Sequence, residues 1–248
     1  MKRIHFAIGL TLLVGLLGFA QRVVGSPAPT DEEIKQACTF DAPKGMVMLP
    51  TRMPPIPFEK MTEEQKKVAM DGFSERVADD FHKASKADVP VVTPPYNILL
   101  RSPEVLLHMK RLNGYLQDHA ALPVRLRAFI IVITARQWSV QYTYYNHCPQ
   151  AAQAGVSLDT IRAIGDGRRP DSMAADEAIV YDFLDELDRN RSVSDATYTK
   201  ALEKFGEQGI VDMISIHGWY TLFLMNANVA RLQWHEGSGG PSLPLFPH

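Results

Sequence analysis

The sequence predicts an all-α protein that begins with a proline-rich N-terminal arm. Prolines recur between residues 26 and 57 and forbid a long helix there. From residue 62 onward apolar residues recur at helical spacing, and from Pro123 to Ala154 no glycine interrupts the pattern. The 248-residue chain is 46% hydrophobic and 22% charged, which is typical of a globular protein with one good core or at most two small ones.

The first 25 residues are predicted to be a secretory signal peptide. Lys2 and Arg3 provide the positive end, the apolar core runs from Ile8 to Ala20, and cleavage is expected after Ala20 or Gly25. An uncleaved membrane anchor is the alternative, but the apolar run is shorter than the ~20 residues that a spanning helix needs. We therefore expect an exported protein, periplasmic or secreted, with no stable membrane span after cleavage.

Helix start signals and apolar spacing divide the rest of the chain into helices. Thr62 and Gln65 form a capping box, and Ser102 before Pro103 marks another start. The β-branched run from Phe129 to Ile133 also fits a buried strand, although its length and setting favour a helix. The predicted helices are Thr62 to about Lys86, Ser102 to near His119, one or more long segments from Pro123 to Ala154, Asp159 to Ile164, Ala174 to Arg189, Ser194 to Phe205, and Ile210 to Trp234.

The last predicted helix, Ile210 to Trp234, is apolar nearly all round. Such a helix is buried in a large core or in a subunit interface, and Asp212 and His217 argue against a membrane span. Its polar side chains share one face and need buried partners. Three alternatives are open: they face His147 across a pocket, they bond one another, or they bond another subunit. That face carries His217, Tyr220, Thr221 and Asn228.

The window from Ala135 to Cys148 is the candidate site, because polar and aromatic groups that follow a buried segment often line a pocket. Placed on one helix, Arg136 and His147 share a face. His147 is then the candidate catalytic acid or base, and Arg136 is a candidate holder of a substrate carboxylate. The alternative is a satisfied core histidine, with Arg136 in a structural ion pair. The candidate substrate-binding residues are Arg136, Trp138, Tyr142, Tyr144, His217, Tyr220 and Asn226.

Several classes of function are disfavoured by the sequence. The net charge is -2 and no basic cluster is long enough to follow a phosphate backbone, so we expect no nucleic-acid partner. The histidines are too scattered for a metal signature, and no phosphate loop or hydrolase elbow occurs, so we expect neither metal nor cofactor. Cys38 and Cys148 form one disulfide in an exported chain or remain free thiols. Cys148 and His147, as helix neighbours, point about 100° apart, which disfavours a Cys–His nucleophile.

Short motifs recur in a fixed order and spacing over roughly residues 95 to 235. They are Thr134 to Trp138, Tyr142 to His147, Ala151, Ala154 to Ser157, Ile161, Gly167 to Pro170, Asp176 to Ala178, Phe205 to Glu207, His217 to Tyr220, and Asn226. Together they resemble the carboxymuconolactone decarboxylase family and its alkylhydroperoxidase D-like relatives. The resemblance implies the all-α alkylhydroperoxidase D-like fold, assembly into homotrimers or hexamers, and a site at His147. With the signal peptide (1–25) and the arm with one helix (26–94), the chain then divides into these two segments, a main domain that resembles the family (95–235) and a tail (236–248).

The chain departs from the family's peroxidase branch at the reactive positions. Peroxidase relatives carry Cys-x-x-Cys-x-x-x-His, and counting back from His147 places Val140 and Thr143 at the two thiol positions. Relatives often carry a glutamate twelve residues before the first thiol position, where this chain has Ala128. A peroxidase relay needs a thiolate and a second, resolving thiol, so the resemblance points away from that activity.

The function expected from the sequence is cofactor-independent decarboxylation, isomerisation or ring opening of a small lactone or organic acid. His147 is the expected acid or base. A non-catalytic, oligomeric small-molecule binder on the same scaffold is the first alternative, favoured by the missing glutamate and thiols. A peroxidase of the same superfamily is the second.

Overall fold

The computed structural model describes residues 28–40, 50–71, 92, 94–232 and 243, and within them every regular element is helical. The predicted signal peptide, the second half of the predicted helix from Thr62, and most of the tail lie outside the described residues. Among the described residues no helix is long and apolar enough to cross a membrane. The helices are α1 (Asp31–Ala37), α2 (Glu63–Asp71), α3 (Pro94–Leu99), α4 (Pro103–Asp118), α5 (Val124–Gln137), α6 (Gln141–Gln153), α7 (Leu158–Gly165), α8 (Ala175–Asn190) and α9 (Asp195–Ala230), with a 3-10 turn at Phe58–Lys60.

Helix α5 is the centre of the core. It packs against α6, α7, α8 and α9, and its side chains Leu126, Phe129, Ile130 and Val132 have no exposed surface. The run from Phe129 to Ile133 is therefore helical, as its length favoured, and its β-branched residues fill the space between neighbouring helices. A helix that is apolar on all sides is stable only when it is covered in this way.

The polar–aromatic window does not form one continuous helix, so the placement of Arg136 and His147 on a shared helix face is wrong. Helix α5 ends with Ser139 in the left-handed region at φ 48°. There the N–H of Val140 donates to the carbonyl of Ala135, and the N–H of Ser139 donates to that of Arg136. This bonding pattern terminates a helix, and α6 begins as a separate helix at Gln141. Arg136 and His147 consequently lie on different helices.

The helix start signals gave mixed results. Thr62 and Gln65 form the predicted capping box, with each side chain bonded to the other residue's backbone N–H at 3.2 and 3.0 Å. Helix α4 starts at Pro103 as predicted, but the Ser102 side chain makes no capping bond, so that cap is wrong. Helix α9 joins the last two predicted helices across a break at Gly206, which has φ 67° and ψ 176°. It ends at Ala230 rather than Trp234.

A disulfide between Cys38 and Cys148 ties the N-terminal arm to α6. The two residues are 110 positions apart in sequence, and both are buried. Phe40, two residues beyond Cys38, packs edge-on against Tyr144 with ring centroids 6.5 Å apart. The Arg162 guanidinium lies over the Phe40 ring, with its carbon atom 3.9 Å from the ring centroid. The described arm residues around Cys38 and Phe40 are therefore part of the packed structure, fixed by a covalent bond and by ring contacts.

Candidate functional site

His147 is a partly buried, oriented imidazole on α6. Its Nδ1 lies 3.1 Å from Oε1 of Gln150, and its ring meets the Tyr220 ring edge-on, with centroids 5.4 Å apart and an interplanar angle of 88°. Because an amide oxygen only accepts, Nδ1 carries the hydrogen and the neutral ring leaves Nε2 as a proton acceptor. Desolvation lowers the pKa of His147 to about 4, with the Gln150 bond opposing the shift. The ring is therefore neutral at physiological pH.

An aromatic cluster surrounds Tyr220 on α9. Trp219 lies 4.7 Å from Tyr220 between ring centroids, and it stacks on Phe223 at 5.1 Å. Tyr96 on α3 packs against Phe223 at 5.4 Å. Burial raises the pKa of Tyr220, and burial together with nearby Tyr142 raises the pKa of Tyr96 to about 12. Both phenols stay protonated, and Tyr220, whose ring contacts His147, is a neutral hydrogen-bond donor beside the imidazole.

A small recess is lined in part by Trp219 and Tyr220. Its volume is about 10 Å³, which is room for one water molecule. Arg127 contributes a guanidinium that donates to the Leu122 carbonyl at 3.3 Å. The structure records no carboxylate partner for Arg127 among the described residues. The recess is lined by Asn113, Leu116, Gln117, Arg127, Ile131, Ile216, Trp219 and Tyr220.

Arg136 lies in a buried contact with the loop after α7. Its Nη1 donates to Oγ of Ser139 at 3.0 Å, and its side chain is 6% exposed. Desolvation lowers its pKa, and nearby Tyr144 and Asp166 oppose the shift. Tyr144 is fully buried and donates its hydroxyl to the Ile161 carbonyl at 3.0 Å. The structure thus places two predicted substrate-binding residues, Arg136 and Tyr144, in the packing between α5, α6 and α7.

The Arg136 contact predicts a strong requirement for glycine at position 167. Gly167 has φ +77°, and a Cβ there would lie 2.9 Å from Nη2 of Arg136. Gly167→Ala should lower the free energy of unfolding by about 1–2 kcal/mol, because a left-handed residue with a side chain is strained. Gly114→Ala is the matched control: its Cβ meets open space inside α4, so it should raise stability by ~0.5–1 kcal/mol. Urea denaturation of both variants tests this, and equal stabilities would contradict it.

His217 has both ring nitrogens occupied within the chain. Its Nδ1 lies 2.9 Å from Oγ1 of Thr134, and its Nε2 lies 3.0 Å from Oδ1 of Asp188. Thr134 also bonds the Ile130 carbonyl one turn back at 2.7 Å. The order carboxylate, imidazole, hydroxyl is that of a hydrolase triad. Thr134, however, has no exposed surface, so no substrate carbonyl reaches its oxygen, and the network instead joins α5, α8 and α9.

The remaining predicted ligand residues are spread around α9 and the turn after α5. Asn226 donates its amide to the Leu222 carbonyl of its own helix at 2.9 Å. Trp138 is partly buried, and its carbonyl accepts from the Asn228 amide at 2.8 Å. The structure therefore brings together His147 and Tyr220, with Tyr142 close to the same cluster. It places Arg136, Tyr144, His217 and Asn226 in other contacts.

Sequence reasoning missed Arg127, Thr134 and Asp188. Arg127 directly precedes the apolar run of α5, and its spacing from Arg125 gives no signal of a site. Thr134 and Asp188 are 83 and 29 residues from their partner His217. Only the packing of α5, α8 and α9 brings Thr134 and Asp188 to His217. The polar face of the last predicted helix did indicate that His217 needs buried hydrogen-bond partners, but not which residues they are.

The described residues contain no free cysteine and no cluster of metal-ligating side chains. Cys38 and Cys148 are bonded to each other, so this part of the chain offers no thiolate. Comparisons with protein-family models, with curated proteins and with solved structures found no match.

Proposed function

We propose that the chain is an exported, cofactor-independent enzyme that isomerises, opens or decarboxylates a small lactone or related organic acid. The observation that carries the proposal is the state of His147, a neutral ring whose Nδ1–H is held by Gln150 and whose Nε2 has no recorded partner among the described residues. A fixed proton acceptor beside the neutral Tyr220 phenol is suited to proton transfer at carbon. The resemblance to carboxymuconolactone decarboxylases supports the same substrate class.

Because the His147 ring is unprotonated at neutral pH, the proposed reaction begins with proton abstraction. Nε2 removes a proton from the carbon next to the lactone carbonyl, and the electron pair moves onto the carbonyl oxygen to give an enolate. A neighbouring phenol such as Tyr220 stabilises that charge by donating a hydrogen bond. The imidazolium, a strong acid at a pKa of about 4, then returns the proton to another carbon. Isomerisation in this form consumes no co-reactant.

Arg127 is a better candidate than Arg136 for holding a substrate carboxylate. Arg136 is buried and bonded to Ser139. Arg127 instead lines the recess together with two amide side chains. Tyr220 also lines this recess, and its ring contacts His147. A guanidinium and amide groups are the donors that bind carboxylates in proteins. The recess holds one water, so a substrate must displace side chains to enter.

Export is supported by the disulfide as well as by the N-terminal sequence. A buried disulfide persists in oxidising compartments and is rare in reducing ones. The bond between Cys38 and Cys148 therefore favours the periplasm or the medium as the site of function.

Turnover should follow the protonation of His147. The unprotonated ring is the active base, so the rate is expected to rise as pH increases through about 4 and to stay level towards neutrality. The assay incubates the chain without residues 1–25 with a panel of carboxylated lactones in D₂O. NMR detects exchange or isomerisation, and mass spectrometry detects loss of carbon dioxide. Binding of a lactone without any conversion would support the non-catalytic alternative, and dithiol-dependent peroxide consumption would support the peroxidase.

A further inference from the structure

The side chain of Gln141 binds the backbone of Leu243, a residue of the C-terminal tail. The amide nitrogen of Gln141 donates to the Leu243 carbonyl at 2.7 Å, and the amide oxygen accepts from the Leu243 N–H at 2.8 Å. Gln141 is 8% exposed, and Leu243 has no exposed surface and belongs to the hydrophobic core. We name the Gln141 amide and the enclosed space around the Leu243 side chain the Leu243 site.

The Gln141 amide holds this backbone as a facing residue of a β-sheet would. In an antiparallel pair, two facing residues exchange both N–H···O bonds, and a primary amide likewise offers an acceptor and a donor side by side. Because the donor and the acceptor differ, the bound residue fits in one direction only. The enclosed space then selects the side chain of that residue. A ligand of the Leu243 site must therefore present an N–H, a carbonyl and a leucine-sized side chain together.

The Gln141 amide is directed at the tail rather than at its own helix. Gln141 is the first residue of α6, and the N-cap residue, Val140, forms no side-chain capping bond. Both amide atoms are instead bonded to a residue 102 positions later in the chain. A buried amide without partners is costly, and so is an empty apolar space. The Leu243 site is therefore stable only with an occupant that fits both parts of it.

We propose that the Leu243 site is a peptide-binding site for a leucine followed by a proline, and that the C-terminal tail occupies it as an internal ligand. Pro244 follows Leu243, and a proline disfavours the helical conformation of the residue before it. Such a residue keeps its N–H and carbonyl free for a partner. Backbone bonds that give affinity, with a pocket that gives side-chain specificity, are a recurring mode of peptide recognition. An external peptide with the same two residues can therefore replace the tail.

Linkage to the same chain gives the tail an advantage over an external peptide. A tethered ligand has an effective concentration of about a millimolar. The isolated chain therefore keeps its own Leu243 in the site, and the tail competes with outside ligands. Peptide binding needs no lactone, so it is measured independently of the function proposed for His147.

Binding of a fluorescent peptide with the sequence of residues 239–248 tests the proposal. The wild-type chain without residues 1–25 is compared with its Leu243→Asp variant, whose tail leaves the site because an unpaired carboxylate is costly to bury. We expect the peptide to bind the variant at least about tenfold more tightly than the wild-type chain. Leu243→Ala in the peptide should abolish binding. Leu245→Ala in the peptide is the matched control and should not, since only the first leucine precedes a proline.

Gln141→Glu, introduced into the Leu243→Asp chain, tests the amide itself. A carboxylate lacks the donor that bonds the ligand's carbonyl, so peptide binding should be lost at neutral pH. The protonated acid again has a donor and an acceptor, so binding should return as the pH falls to about 4. Gln153→Glu is the matched control, because Gln153 is exposed at the last position of α6, and this variant should bind the peptide at both pH values. Circular dichroism checks the fold of every variant.

Hydrogen exchange of the wild-type chain gives a second measurement that needs no variant. The Leu243 N–H is bonded to a buried oxygen and should exchange slowly. Unlabelled peptide, in excess over the effective concentration of the tail, should speed this exchange. Protection that persists in excess peptide would show a fixed structural contact and overturn the proposal. Equal binding of the peptide to the wild-type and Leu243→Asp chains, or binding that survives Gln141→Glu at neutral pH, would overturn it as well.

Discussion

Replacing His147 with alanine is expected to lower turnover of the responsive lactone by at least 10²-fold. A positioned acid or base contributes about 10²–10⁴-fold to a proton transfer, and no other imidazole of the described residues has a ring nitrogen beside the Tyr220 cluster. His217, the nearest histidine along the same helix face as Tyr220, is bonded through both nitrogens to Thr134 and Asp188. It is therefore not available to replace His147.

The fold should survive this substitution, which keeps the test informative. His147 is only partly buried, and its side chain makes one hydrogen bond and one edge-on ring contact. Circular dichroism and the melting temperature check the fold, and initial rates with saturating lactone measure the activity. Unchanged turnover in a folded His147→Ala variant would remove the histidine from the reaction, whatever the substrate.

Gln150→Ala separates a proton-transfer role of His147 from a packing role. Gln150 is exposed and bonds only Nδ1 of the imidazole, so its loss releases the ring without removing it. The bond to Gln150 raises the pKa of His147 against the larger effect of desolvation. Losing it should move the rise in rate to lower pH and reduce kcat by a smaller factor than His147→Ala does. A packing role would leave the pH profile in place.

The helical core was predictable because its signals are local. The run from Phe129 to Ile133 carries β-branched residues that also suit strands, but the long stretch without glycine or proline indicated a helix, and α5 is one. The break after α5 was not predictable in the same way. It occurs at Ser139, which takes a left-handed conformation that glycine usually supplies. One residue at positive φ therefore changed which side chains share a face.

Individual residues of the candidate site were predictable only where they stand out from their local sequence. His147 stands out as a histidine among tyrosines, and Tyr220 stands out as a polar group in an apolar helix. Their ring contact joins α6 to α9. Which helix faces which depends on the packing of the whole core, and helical spacing does not specify it. For the same reason the pairing of Cys38 with Cys148 across 110 residues remained open until the fold was known.

Removing the Cys38–Cys148 disulfide is expected to lower the free energy of unfolding by about 4 kcal/mol. A crosslink reduces the conformational entropy of the unfolded chain, and the model for loops of about 100 residues gives ~4.7 kcal/mol. The closed loop here spans 110 residues. The arm's other attachments, such as the Arg162 guanidinium bonded to the Thr39 carbonyl at 2.8 Å, remain in the folded state. They do not constrain the unfolded chain and so do not offset the loss.

The measurement compares the wild-type chain with a double variant, Cys38→Ser and Cys148→Ser, in guanidinium with and without dithiothreitol. Reductant should shift the wild-type midpoint to the position of the double variant and leave the double variant unchanged. A wild-type midpoint that does not respond to reductant would contradict the predicted stabilisation.

The comparison of the wild-type chain with the double variant also tests export. If the disulfide supplies this much stability, the wild-type chain should accumulate in an oxidising compartment and be degraded in a reducing one. The serine variant should be poorly stable in both.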